Sequence, residues 1–149
     1  MSAAHSQQSD LASALASEIR TIAGKLRRRF REHGGGHDLT ASQAAVVLRL
    51  EKDGAATVSG LARAEGMRPQ SMSAAVAPLL KAGLINGAPD PKDGRQTLMS
   101  LTPRCIRSLR EGRAAKQDWL TKTIEHKLSV REQEKLRALV ELLARLVEE

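Results

Sequence analysis

Residues 84–102 read LINGAPDPKDGRQTLMSLT, and this stretch decides the fold. Two short apolar runs, Leu84-Ile85 and Thr97–Leu101, flank Asp90-Pro-Lys-Asp-Gly-Arg95, where Pro, Asp and Gly supply turn chemistry. The spacing predicts a β-hairpin over 84–101 with a polar, exposed tip. On both sides of it apolar residues recur every three or four positions, so one hairpin stands among helices.

Immediately before the hairpin, Pro69 is suited to the first position of a helix because it has no amide N–H to leave unpaired. Met72, Val76, Leu79 and Leu80 carry that helix to a glycine stop at Gly83. A shorter helix through Leu61, Ala62 and Ala64 precedes it, capped by Ser59 and ended near Gly66, after an extended piece at 55–58. Further back, Thr40-Ala-Ser-Gln43 is a capping-box pattern opening a helix with Val46, Val47, Leu48 and Leu50, which stops at Asp53-Gly54. Two short helices across a glycine-containing turn, followed by a hairpin, are the plan of a winged helix-turn-helix whose recognition helix starts near Pro69.

Long helices flank that unit. One, capped by Ser9 or Asp10, carries Leu11, Leu15, Ile19, Ile22, Leu26 and Phe30 on one stripe and ends at Gly34–Gly36. After the hairpin, Thr102-Pro103 opens a helix with Ile106, Leu109, Trp119, Leu120 and Ile124. Ser129-Val-Arg-Glu132 is a second capping box, opening a last helix with Leu136, Leu139, Val140, Leu143, Leu146 and Val147. Stripes this long are covered only when more protein arrives, from later helices or a second subunit. The expected organisation is one mainly α domain over 1–149, with a winged helix-turn-helix at 39–102 and dimerisation helices at 10–33 and 103–149.

Composition narrows the partner. The chain has 149 residues and a formal net charge of +7, so an acidic partner is expected. Aromatic residues make up 1%, with one Phe, one Trp and no Tyr, which argues against surfaces that stack single-stranded bases. A lone cysteine, Cys105, excludes an internal disulfide framework and paired-cysteine zinc sites. Met1 to Asp10 lacks the basic start and apolar run of a signal peptide, and no stretch reaches the length of a membrane span, so a cytoplasmic protein is expected. No phosphate loop, HExxH motif, nucleophile elbow or carboxylate pair is present, so the chain is not read as an enzyme.

The segment Asp90–Thr102 resembles the wing signature of the MarR family of bacterial transcriptional regulators, in which an Asp-Gly-Arg tip precedes a short strand ending in Leu-Thr and a long helix. Leu79-Leu-Lys-Ala-Gly-Leu84 is similar to the family's leucine-rich end of the recognition helix, and helix order matches from about Leu11 onward. The resemblance implies a homodimer interlocked by its terminal helices, reading a pseudo-palindromic double-stranded operator. It further implies a repressor, released by a small aromatic or lipophilic effector and needing no cofactor. Three departures stand out. Pro78 falls inside the recognition helix, where it removes a backbone hydrogen bond and predicts a bend over 74–78. Ala74 replaces a residue often polar or basic in the family, and Asn86–Pro89 lacks basic residues usual there, so fewer phosphate contacts are expected.

Candidate DNA-contacting residues follow from both readings. Arg95 at the wing tip is suited to a minor groove, with Asp93 beside it to orient it. Gln70, Ser71 and Ser73 occupy the first turns of the recognition helix, where side chains reach base edges. Arg68 and Lys92 read as phosphate contacts, and Ser59 as a helix cap that also donates to a phosphate. The basic run Lys25–Arg31 fits a nucleic-acid surface or a solvated helix face equally well. His33 and His37, with Asp38, sit around three glycines and read as a loop rather than a metal site, and Cys105 as a small buried apolar residue. Two alternatives to a specific regulator remain: a winged-helix dimer serving as a protein-interaction module, and a nonspecific DNA-binding protein.

Overall fold

The computed structural model describes residues 2–35 and 38–148. In chain order the elements are α1 (Ser2–His33), α2 (Ala41–Asp53), α3 (Val58–Ala64), α4 (Pro69–Lys81), β1 (Ile85–Pro89), β2 (Thr97–Leu101), α5 (Pro103–Lys127) and α6 (Val130–Ala144). Two compact units result. Residues 36–112 form one, and residues 1–35 with 113–149 form the other, α5 beginning in the first and ending in the second.

The 36–112 unit is a winged helix-turn-helix with its own core. Val46, Val47 and Leu50 of α2 meet Leu61 and Ala62 of α3 and Met72, Ala75, Val76 and Leu79 of α4, with Leu84, Ile85, Met99 and Cys105 completing the cluster. Thr40 caps α2 as expected, its hydroxyl accepting from the Gln43 amide while the Gln43 side chain accepts from the Thr40 amide. The cap of α3 differs from expectation. Thr57, not Ser59, is the N-cap, its hydroxyl accepting from the Gly60 N–H at 3.0 Å. The helix begins at Val58, which puts Ser59 inside its first turn, so the extended piece is shorter than predicted.

Two glycines set the turns of this unit. Past α3, Gly66 adopts φ +61 and donates to the Arg63 carbonyl, while Met67 donates to Ala62. Past α4, Gly83 adopts φ +68 and donates to Leu80, while Leu84 donates to Leu79. Both are Schellman turns, whose left-handed residue is cheap only for glycine. They aim the chain from α3 into α4 and from α4 into the hairpin. Through Pro78 the helix continues without interruption to Lys81; Pro78 itself is exposed, so water can serve the Ala74 carbonyl that its ring leaves without an N–H partner.

The strands β1 and β2 pair antiparallel with Ile85 opposite Leu101 and Pro89 opposite Thr97. Strand β1 runs further than its composition suggests, because β2 supplies partners through Asn86-Gly-Ala-Pro89. On the other side of β2, Ala56 exchanges two backbone hydrogen bonds with Met99, at 3.0 and 2.8 Å, tying the loop before α3 to the wing. Thr102 closes the base: its hydroxyl donates to the Gly83 carbonyl at 2.8 Å and accepts from the Cys105 N–H at 3.2 Å. Cys105 is 2% exposed, and burial, followed by the charge of Glu51, pushes its thiol pKa up.

The other unit is helical. Helix α1 opens at Ser2, before the Ser9 or Asp10 cap expected, because Ala3, Ala4, Gln7 and Gln8 favour helix and nothing there stops it. Its end packs on α5: Phe30 meets Trp119 edge-on at 5.7 Å, His33 stacks on the same indole at 4.8 Å, and Arg29 lies 5.8 Å from the ring centre. Ser129 caps α6 in a full capping box, and the hydrogen bonds it gives Glu132 hold that carboxyl below its ordinary pKa. Among the described residues α6 has no buried side chain. His37 lies outside the described residues, and among those described no three metal-ligating side chains come together.

Gly24 lies in the middle of α1 with open space where a Cβ would stand. Alanine there is expected to stabilise the helix by about 1 kcal/mol, because glycine loses more backbone freedom on folding. Thermal denaturation followed by circular dichroism measures this. A lowered midpoint would mean that a partner backbone approaches this face.

Candidate nucleic-acid interface

Helix α4 divides into two faces. Met72, Ala75, Val76 and Leu79 are buried, while Gln70, Ser71, Ser73, Ala74, Ala77 and Pro78 are exposed. At 100° per residue, Gln70, Ala74, Ala77 and Lys81 run down the middle of the exposed face, with Ser71 and Ser73 on its flanks. Burying four apolar residues on one side therefore fixes which side chains point outward. A glutamine amide there can donate and accept in one plane, the pairing that suits adenine in the major groove.

The N-terminus of α4 lacks a side-chain cap. Arg68 holds the N-cap position, is exposed, and makes no capping hydrogen bond. With Pro69 at the first position, the amides of Gln70 and Ser71 point out of the helix start without an intrahelical acceptor. A cation and free helix-end amides together favour an anion.

The wing tip is organised by its acidic residues. Asp90 accepts the Lys92 N–H at 2.8 Å, and its own N–H reaches the Gln96 carbonyl at 2.9 Å. Asp93 accepts the Arg95 N–H at 3.1 Å with one oxygen and the Gln96 amide at 3.3 Å with the other. Asp93 thus orients Arg95 through the backbone, and among the described residues no ion pair engages the Arg95 guanidinium. Lys92, Asp93 and Arg95 are all exposed.

All eight candidates fall in the 36–112 unit, seven of them in two groups. One is the start of α4 with Arg68, Gln70, Ser71 and Ser73; the other is the tip with Lys92, Asp93 and Arg95. Ser59 stands apart from both groups. It is exposed in the first turn of α3, its hydroxyl 3.1 Å from that of Thr57.

Sequence reasoning missed the group that braces the turn leading into α4. Arg49 on α2 bonds Glu65, just past α3, at 2.8 Å and Asp53 at 3.1 Å. Both carboxylates raise the Arg49 pKa, the Glu65 hydrogen bond most. Glu65 is the C-cap of α3, so this pair ties α2 to the turn that aims α4. The sixteen-residue separation gave no local signal.

Known proteins share this arrangement. The sequence pattern of the MarR family matches residues 39–97, which span α2 to the start of β2. An HTH-type transcriptional regulator of Mycobacterium tuberculosis is 33% identical over 135 residues, covering 91% of this chain and 94% of that protein. The chain belongs to the MarR family. A putative transcriptional regulator of Pseudomonas aeruginosa, known by crystal structure, is 31% identical with a TM-score of 0.76, over 91% of this chain and 95% of its own. A variant of S. aureus MepR bound to an oligodeoxyribonucleotide shares the fold at 23% identity and a TM-score of 0.70, over 89% of this chain and 97% of its own. MarR-family proteins are regulators rather than enzymes, and this chain is a DNA-binding transcriptional regulator of the winged helix-turn-helix class. Among the described residues no helix is long and apolar enough to cross a membrane.

Proposed function

We propose that the chain is a homodimeric, sequence-specific repressor that binds a pseudo-palindromic operator of roughly 16–20 base pairs. The observation that carries this reading is the unpartnered apolar stripe of α6. Leu139, Val140 and Leu143 are 55%, 54% and 43% exposed, and α6 buries no side chain of its own; Leu146, expected on this helix, stands past its end at Ala144 and is 70% exposed. A fifteen-residue helix is marginal in water unless such a stripe is covered. The stripe of α1 is exposed as well, with Leu11 at 61% and Ile22 at 63%. A second copy covering both stripes makes residues 10–33 and 103–149 dimerisation helices and leaves 39–102 to read DNA.

Each recognition helix then enters a major groove, with Gln70, Ser71 and Ser73 on base edges and Arg68, Lys92 and Ser59 on phosphates. Arg95 enters the flanking minor groove, its tip stiffened by Asp93. A small aromatic or lipophilic effector releases the operator by favouring a dimer whose reading helices are misspaced. The site of action is the bacterial cytoplasm, where the operator lies.

Selection from a random double-stranded pool at about 150 mM salt, where nonspecific binding is weakened, tests this reading. One inverted repeat is expected to emerge. Arg95→Ala is expected to weaken binding to it by about 10- to 150-fold, equivalent to the 1.5–3 kcal/mol of hydrogen bonds made by a charged group. A folded dimer that enriches nothing would favour an interaction module instead.

A further inference from the structure

Most of the positive charge lies outside the reading unit. Residues 36–112 hold ten basic and seven acidic side chains, net +3 of the chain's +7. Residues 20–32 of α1 alone hold six basic and one acidic, net +5. No acidic residue stands between Glu18 and Glu32. Solvated helix faces usually alternate in sign; this one does not.

Neutralisation within α1 is partial. Glu32 takes Arg28 at 3.8 Å and Arg29 at 3.0 Å, and Arg29 also lies over Trp119. Arg20, Arg27 and Arg31 are exposed and join no ion pair among the described residues. At 100° per residue these three fall within an arc of about 40°, about 10 and 6 Å apart along the axis. Gly24 lies on the same row with open space beside it, and a shallow dent nearby is lined by Ser17, Arg20, Thr21, Ala23 and Arg27. The row sits roughly 130° around the helix from the apolar stripe, so covering that stripe with a second subunit leaves the arginines facing outward.

We propose that Arg20, Arg27 and Arg31 form a second contact surface for the phosphate backbone of duplex DNA. Three guanidiniums in line match phosphate oxygens as forked donors. A duplex carries a charge about every 1.7 Å, so such a row meets several phosphates in any register and reads no sequence. No aromatic side chain lies on the row, which disfavours single strands. This surface supplies phosphate contacts that the uncharged Asn86–Pro89 strand does not. The proposal takes DNA as the partner, as above, and adds a surface to it.

The test is the salt dependence of binding by the full chain. The variant carrying Arg20→Gln, Arg27→Gln and Arg31→Gln keeps good helix formers at all three positions. Circular dichroism and sedimentation are expected to match the unaltered protein. On a random-sequence duplex, the slope of log affinity against log salt is expected to become shallower by about 0.9 per lost contact, up to about 2.7 for each chain. Preference for the selected operator is expected to survive. Should the triple variant misfold, Arg27→Gln alone is expected to shift the slope by about 0.9. An unchanged slope would overturn this proposal and leave the regulatory reading standing. An unaltered chain that binds no duplex would overturn both.

Discussion

Leu61→Ala is expected to destabilise the 36–112 unit by about 2–5 kcal/mol. Leu61 is completely buried, at 0% exposure, on the short α3 between α2 and α4. Truncation removes the transfer free energy of three carbon groups and leaves a void, and the neighbours available to fill it are constrained. Met72 and Leu79 belong to a helix clamped by Schellman turns before and after it, while Val46 and Val47 are stiff at χ1. Small domains are stable by only about 5–15 kcal/mol, so the loss is a large share of the total. Denaturant titration with an operator-binding readout measures it. A change under about 1 kcal/mol would mean that α3 is held by something other than this core.

The second large effect concerns α6. Leu139→Glu combined with Leu143→Glu places two charges in a stripe that is exposed in the single chain. Helix propensity is kept, since glutamate is a good former and the Ser129 box is untouched. If a second copy covers this stripe, the charges cannot be buried there without partners, and the dimer separates. Operator affinity is then expected to fall by about 10²–10⁴-fold, the advantage of linking two half-site contacts. Sedimentation and gel shift read the two consequences separately. A variant that sediments as an intact dimer removes α6 from the interface. Truncation at Ser129 is expected to act in the same direction.

What the sequence disclosed was governed by distance along the chain. Thr40-Gln43 and Ser129-Glu132 are boxes whose partners stand three residues apart, and Pro69 and Gly83 act through their own backbone. All four could be read without knowing the fold. Thr57 against Ser59 was harder: two hydroxyl residues stand two apart, and the choice depends on where Val58 turns helical over the core. Asn86–Pro89 reads poorly as a strand, and becomes one through partners fourteen and fewer residues away in β2. The Ala56–Met99 bridge, the Arg49–Glu65 pair and the stack of His33 on Trp119 join residues that only folding makes neighbours. The candidate contacts were legible because a turn motif and a helix start are local, but the division of α4 into faces needed the core.

That division has an evolutionary consequence. None of the exposed residues of α4 contributes to the core, and two in the middle of that face, Ala74 and Ala77, present only a methyl group. Mutations there meet little resistance from folding, so a lineage carrying this chain can try new hydrogen-bonding groups against DNA while the scaffold stays intact. If α4 reads the operator as proposed, divergence to a new operator can proceed through changes at these alanines without a compensating change beneath them.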